Sequence, residues 1–405
     1  MTPHLQQRGF TAKLADVVVN KACGFTAYKG GHFMNRILKI GLDVHSTNYT
    51  LCVVEPKLEG DPECLYEIQV EPACDSILNV ISGLRKKFKN DKLHITCGYE
   101  AGCLGYTLYH ELENAGIHCV ILAPSTMEMP GGKRIKTDKR DAWLIAKCLA
   151  NGGFSEVHIP SPLDEDVRDY LRMRDDHKET QKDLKQRINA FCLRHGHKYQ
   201  KSKWTESHIK WLKNLELSEL QRETLDEYLL TYQVMEDKIR RLDARIEELA
   251  CREEYRNKVN KLCCFIGIKT HSALTLLVET GDFYRFSKGN VYSAYLGLVP
   301  GERSSSDSIN RLGITKTGNK HARTILTEAA QGICKGRIGS KSKALLSRQK
   351  GNDPAVIAYA DKANERLRRK YYKLIYKGKQ KNTAVTAVAR ELACFVWGMM
   401  TDNIA

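Results

Sequence analysis

A chain of 405 residues is too long for one ordinary hydrophobic core, so two or three domains are expected. With 42% hydrophobic and 28% charged residues it has a soluble globular composition rather than a disordered one, and no apolar run approaches the roughly 18 residues of a membrane span. The 64 Lys and Arg outnumber the 48 Asp and Glu for a formal charge of +16, which points to a polyanionic partner, nucleic acid ahead of membrane.

Residues 1–33 show no sustained periodicity, and strand-like sequence begins directly after Met34. Lys29-Gly30-Gly31 can be encoded by AAAGGAGGN, a bacterial ribosome-binding sequence, with only His32 and Phe33 before Met34. The expectation is therefore that translation starts at Met34 and that 1–33 is a non-native or disordered leader. "RILKIGLDVHSTNYTLCVVEP" reads as two strands with a tight turn at His45 to Asn48, and "ECLYEIQVEP" as a third. Helical spacing over 75–89 precedes the strand "LHITCGYE". The helix "LGYTLYHELENAG", with a Gly116 stop, precedes the strand "HCVILAP". Three strands followed by strand–helix alternation predict a mixed sheet carrying helices, closed by the helix "DKRDAWLIAKCLA" and the Gly152-Gly153 break.

From 164 to 260 the chain is rich in charge, poor in Gly and Pro, and reads as helical throughout. Apolar residues at Leu225, Tyr228, Tyr232, Met235, Ile239, Leu242, Ile246 and Leu249 alternate in steps of three and four, the coiled-coil pattern. That seam suits self-association, an antiparallel hairpin with a helix near 165–195, or packing within its own domain. Around Gly267, "LCCFIGIKTHSALTLL" suggests a helix-hairpin-helix whose turn amides meet a DNA phosphate, or a plain helical hairpin. From Asn310 to Lys381 there are 19 Lys and Arg against 4 Asp and Glu, with Tyr371, Tyr372 and Tyr376 interleaved; this is either a solvated face or a surface that tracks a nucleic-acid backbone. The last apolar helix, "AVTAVARELACFVWGMM", reads as core. The 14 cysteines are scattered without paired C-x2-C motifs, which predicts reduced thiols in a cytoplasmic protein.

Four carboxylates stand out. Asp43 ends the first strand and Glu100 a later one, while Asp138 and Asp141 lie three apart at the start of a helix. Singly, each reads as a turn former or helix cap. Together, if the strands are neighbours, they form a hard-oxygen set suited to Mg2+ or Mn2+, whose remaining ligand positions accept phosphate oxygens.

The blocks "KIGLDVHSTNYTLCVVE", "CGYEAGCLGYTLYHEL", "KTDKRDAWLIAKCL" and "YLGLVPGERSSSDSINRLGITKTGNKHARTILTEAA" closely resemble transposases of the insertion-sequence 110 family, in consistent order from Met34 to the C-terminus. The resemblance implies an α/β RuvC-like (ribonuclease-H-like) DEDD domain over 34–160, a helical coiled-coil region over 161–260, and a mostly α-helical C-terminal serine transposase domain over 261–405. It places the DEDD residues at Asp43, Glu100, Asp138 and Asp141 and, aligned by Pro300, the nucleophilic serine at Ser305, with Ser304 before it. It further implies recombination of donor and target DNA by a homo-oligomer, dimer or tetramer, guided by a structured bridge RNA. Where the family has Gly after the serine, this chain has Ser306 and Asp307, which removes easy left-handed backbone angles and adds a charge that repels a scissile phosphate.

A serine hydroxyl needs activation, and His321 is sixteen positions beyond Ser305, so metal in the carboxylate site is the expected activator. Arg303, Arg311, Lys316, Lys320 and Arg323 are expected to hold the phosphate backbone. A RuvC-type nuclease using activated water, or a catalytically dead nucleic-acid-binding descendant, are the competing readings.

Overall fold

The computed structural model describes residues 35–102, 104–127, 137–305 and 308–404, with backbone alone for Ser125, 303–305 and 308–311. The expected leader and start at Met34 lie outside the described residues, as do Ser306 and Asp307. The chain divides into two compact units, one ending at Val157 and the other beginning at His158.

In the first unit, strands β1 (Asn35–Val44), β2 (Tyr49–Glu55) and β3 (Glu63–Val70) form an antiparallel meander. The first turn is closed by the His45 amide donating to the Asn48 carbonyl at 3.0 Å. Helix α1 (Cys74–Lys87) returns the chain so that β4 (Lys92–Glu100) pairs parallel to β1, and α2 (Thr107–Asn114) does the same for β5 (His118–Leu122) against β4. The resulting order, β3-β2-β1-β4-β5 with β2 antiparallel to the rest, is the ribonuclease-H-like arrangement. It is the α/β fold expected from the strand–helix alternation.

Helix α3 (Asp138–Asn151) packs on the face of the sheet presented by Gly41 and Gly98. The approach is close enough that a β-carbon at Gly41 would lie 2.2 Å from the Ala142 carbonyl oxygen and 2.3 Å from the Ala146 nitrogen. Only glycine on the strand facing alanines on the helix permits this spacing. Cys52 and Val54 of β2 complete the contact with Ala142 and Ala146.

The second unit is almost wholly helical. Helices α4 (Pro162–Arg194) and α6 (Glu219–Ala250) run antiparallel, joined through α5 (Glu206–Lys213). Arg174 pairs with Asp243 at 2.7 Å near the middle, and Gln221 meets His195 at 3.1 Å near the far end. The seam read from the sequence is the buried face of this hairpin: Leu225, Tyr232, Ile239, Ile246 and Leu249 are buried, each such side chain contributing roughly 1.5–3 kcal/mol. Helix does not continue throughout, as expected from composition alone; 195–205 and 214–218 are non-helical, because Gly196 takes a left-handed turn and the short α5 folds back. The base of the hairpin does not stand apart from the C-terminal helices, since Val167, Leu171, Ile246 and Leu249 belong to their hydrophobic core.

That core continues through α7 (Glu253–Leu262), α8 (Thr270–Thr280), α9 (Gly289–Tyr295), α10 (Lys320–Cys334), α11 (Lys343–Gln349), α12 (Pro354–Tyr376) and α13 (Lys381–Met400). Helix α13 is the one helix among the described residues long and apolar enough to cross a membrane, and its Ala384, Val388, Leu392 and Val396 are in the core. Between α9 and α10 the chain forms a two-stranded ribbon, β6 (Pro300–Ser305) and β7 (Ser308–Ile314), where the serine run alone suggests a turn. The α7–α8 turn differs from a DNA-binding helix-hairpin-helix: the Ile266 amide donates to Asn364, and Gly267 is pressed on Ala329 of α10. The Ile266 amide is thus taken up within the fold.

Candidate active site and nucleic-acid interface

Three of the four acids converge where the sheet meets the start of α3. Side chains alternate along a strand, so Asp43 shares the face of Gly41, and Glu100 shares the face of Gly98. Both glycines touch α3, at Ala142/Ala146 and at Leu149 respectively. Parallel pairing runs through Leu42 opposite Tyr99, so Asp43 and Glu100 follow next on adjacent strands at the same sheet edge. Asp138 and Asp141 occupy the first turn of α3, where the helix dipole favours negative charge. Neither caps the helix, because Thr137 does so, accepting from the Arg140 amide.

Asp43, His45 and Asp138 can each offer a ligand atom within 4.8 Å of the others. Asp43 carries a raised pKa. Burial is the main cause; nearby His45 opposes it, and the negative charges of Asp141 and Asp138 add to it. Its Oδ2 is buried without a hydrogen-bond donor, the His45 Nε2 lying 3.3 Å away. A buried carboxylate oxygen with only this long imidazole contact, clustered with further acids, is what a divalent cation would satisfy, so the residues present fit Mg2+ or Mn2+. Glu100 lies outside the three-residue cluster, although the register sets it at the same edge. Sequence reasoning missed His45, which stands two residues after Asp43 at the start of the turn.

Ser304 and Ser305 lie at the end of β6, Ser304 opposite Ile309 and Ser305 opposite Ser308. The departure at Ser306 and Asp307 lies outside the described residues. The base of the ribbon is fixed by contacts that explain the glycines in "YLGLVP" and "GITKTGN". Gly297 and Gly318, with φ of +65° and +67°, let the two segments meet backbone to backbone; a β-carbon at Gly318 would sit 1.8 Å from the Tyr295 carbonyl oxygen. Here glycine is required both by conformation and by space. Asn319 caps α10, accepting from the Ala322 amide at 3.0 Å, and donates to the Glu279 carboxylate at 2.6 Å. Glu279 is buried and also receives both arms of Arg172, at 2.8 and 2.9 Å. Burial pushes its pKa up, but hydrogen bonds from Arg172 and Asn319 and the positive charges of Arg172 and Arg168 bring the net shift below the ordinary value. This network joins residues 107 and 40 positions apart, so no local signal could have revealed it.

The basic residues divide by role. Lys316 and Lys320 are exposed; the side chains of Arg303 and Arg311 lie outside what the structure describes. Arg323 differs from the expectation of a phosphate ligand: its Nη1 donates to the Leu296 and Thr317 carbonyls, both at 2.9 Å, which ties it to the ribbon's base. With Lys316, Thr324, Thr327 and Gln331 it borders a groove of about 350 Å3. On α12, Arg366 and Lys370 pair with Glu391, and Arg369 with Glu365. Arg368 is buried on the carbonyls of Ile333, Arg337 and Ser340, and Tyr371 is buried too. Tyr372 and Tyr376 are exposed. Much of the basic run is thus spent on holding the fold.

The chain is similar in sequence to known transposases. Residues 40–215 match the DEDD transposase model of IS110 elements, and residues 260–346 match the model of the transposase IS116/IS110/IS902 family. The transposase y4qE of Sinorhizobium fredii is 32% identical over 404 residues, 99% of this chain and 96% of that protein. The transposase for insertion sequence element IS1533 of Leptospira borgpetersenii is 34% identical over 354 residues, 86% of this chain and 99% of that protein. Among solved structures, Thermus thermophilus RuvC aligns with 30% of this chain and 99% of its own length at 14% identity, with a TM-score of 0.23. The molecule is an enzyme that acts on DNA, a transposase. It belongs to the IS116/IS110/IS902 family.

Proposed function

We propose that this transposase excises and inserts its element through a covalent serine intermediate, with Asp43, Glu100, Asp138 and Asp141 as the acid set. The observation that carries the acid site is the buried Asp43 Oδ2, 3.3 Å from His45 Nε2 and clustered with Asp138, with Asp141 near enough to raise the same pKa. These residues would hold Mg2+ or Mn2+, which when bound polarises a DNA phosphate and stabilises the charge on a leaving oxygen. His45 at 3.3 Å steadies the Asp43 carboxylate. In the chemical step the Ser305 hydroxyl releases its proton to solvent as its oxygen forms a bond to phosphorus, the bond from phosphorus to the 3′ oxygen breaks, and that oxygen takes up a proton from solvent to become a 3′-hydroxyl. The phosphoserine conserves the energy of the broken bond, so a 3′-hydroxyl can later displace the serine and no nucleotide cofactor is needed.

In this reading residues 34–160 bear the acids, the hairpin of 161–260 supports assembly, and 261–405 bear the serine. The ribbon's clamped base supports the serine assignment, because a nucleophile needs a fixed carrier. Following the family resemblance, a structured bridge RNA guides donor and target choice, and a homo-oligomer supplies acids and serine to one phosphate; the net charge of +16 is in keeping with two nucleic-acid partners.

The test is rapid denaturant quenching of the reaction with element-end DNA, followed by digestion and mass spectrometry. A 5′-phosphoseryl nucleotide on Ser305, lost in Ser305→Ala and in Asp43→Asn but kept in Ser304→Ala, is expected. Normal cleavage by Ser305→Ala with no adduct would assign the strand break to activated water instead.

A further inference from the structure

The far end of the α4–α6 hairpin is a small head with its own core. Leu184, Ile188, Phe191 and Cys192 pack there with Leu212, Leu225, Leu229 and Tyr232. The Trp204 amide donates to His208 Nδ1 at 3.0 Å, which fixes Trp204 in a left-handed conformation of φ +64°. Tyr199 and Trp211 pack their rings on His208, and Trp204 on His208 and Tyr232. The segment of the head from Arg194 to Lys213 carries a local positive excess. Between Arg194 and Lys213 the chain has six Lys and Arg against the single acid Glu206. All six, Arg194, Lys198, Lys201, Lys203, Lys210 and Lys213, are exposed.

On the shaft of the same hairpin, Arg174, Lys182, Arg240 and Arg245 are each paired with an acid on the hairpin itself. Among the described residues, none of the six head cations is in an ion pair with any acid. Six like charges held together without partners lower stability unless an external polyanion neutralises them. The charge serves no folding purpose visible in the head, whose core is apolar and aromatic.

We infer that the head is a second DNA contact, gripping the phosphates of double-helical DNA away from the point of strand exchange. The aromatic rings are engaged with one another, so they are not free to stack on unpaired bases as single-strand binders require. Exposed lysines spread along the 194–213 segment suit the regular phosphates of a duplex, and DNA is the substrate of this enzyme class. Leu171 is the last residue of α4 in the main helical core. Arg194 lies 23 residues further along α4, about 35 Å at 1.5 Å per residue. That is the span of about ten base pairs of duplex, so the head reaches flanking DNA that the main helical core does not cover.

The experiment compares the full-length protein with two variants. One carries Lys198→Ala, Lys201→Ala, Lys203→Ala, Lys210→Ala and Lys213→Ala; the other carries Arg at the same five positions. Fluorescence anisotropy with random-sequence duplexes of about 15 and about 40 base pairs, and with an RNA hairpin of equal charge, is measured over a salt series. The alanine variant should bind the long duplex at least tenfold more weakly, and its slope of log K against log salt should fall by about 0.9 for each phosphate that the head no longer neutralises. The arginine variant should keep the affinity. Circular dichroism checks that the exposed substitutions leave the helices intact, and the three-lysine and two-lysine subsets give intermediate losses if they do not. Unchanged DNA affinity and slope, an equal loss on short and long duplexes, or a loss confined to RNA would each overturn the inference.

Discussion

Replacing Gly41 by Ala adds one carbon in the most confined place near the acids. That carbon would lie 2.2 Å from the Ala142 oxygen and 2.3 Å from the Ala146 nitrogen. Ordinary carbon contacts begin near 3.5 Å, so α3 must retreat by roughly 1 Å. Both obstructing atoms belong to helix backbone, which cannot rotate aside as a side chain would. Overpacking of this kind costs about 1–3 kcal/mol. The greater effect is on function, because Asp138 and Asp141 ride on α3 while Asp43 stays on β1. A 1 Å error in a catalytic constellation costs on the order of 100-fold in rate, and loosened ligand geometry costs about 10–100-fold in metal affinity. Titrating Mn2+ and following its paramagnetic signal measures affinity directly, with far-ultraviolet circular dichroism confirming the sheet. The expected result is a folded protein with at least tenfold weaker Mn2+ binding and strand cleavage reduced about 100-fold. Wild-type affinity and rate in a folded Gly41→Ala would refute the idea that this contact places the acids.

Other consequences follow from the same geometry. Burial, with Asp141 and Asp138, raises the Asp43 pKa above its ordinary 3.8 against the opposing His45; a bound cation must favour the ionised form, so Mg2+ binding should release protons and weaken as pH falls towards the acidic range, seen by calorimetry in buffers of different ionisation heat. Glu279 has the opposite sign: its pKa is lowered from 4.5, so its stabilising contribution is whole above that value and is lost as pH falls below it. Acid unfolding of the wild type should therefore be steeper below about pH 4.5 than that of Glu279→Gln. Removing its partner in Asn319→Ala takes away the α10 cap and one of the two donors to Glu279 Oε2, leaving Arg172 as the other, and should lower stability by about 1–2 kcal/mol in urea melts. Arg323→Ala removes the Nη1 that donates to both the Leu296 and Thr317 carbonyls; recombination should fall about tenfold while the salt slope of DNA binding stays as it was, if that side chain acts through the ribbon and not on phosphate.

The strands, the helices of the first unit and the long helical hairpin were legible because each is a local pattern. Period-two alternation, three-and-four spacing and Gly stops act over a few residues, where neighbouring side chains decide the outcome. The acids were legible as strand ends and a helix start, and their order along the chain allowed a shared edge to be expected. The contacts of Arg323, Arg366 and Arg368 with carbonyls and carboxylates were not legible, because a cation's purpose depends on what stands opposite it. A charge in sequence looks the same whether it meets water, a carbonyl or a phosphate.

The chain alone therefore determined which segments become strands and helices, and which residue types stand at their ends, because backbone sterics and hydrophobic period are local. Tertiary structure decided that Gly41 admits α3 to within reach of Asp43, that His45 joins the acids, and that Glu279 reaches back to Arg172 and forward to Asn319. Those choices depend on close packing between segments distant in sequence, where a displacement of one ångström separates contact from clash.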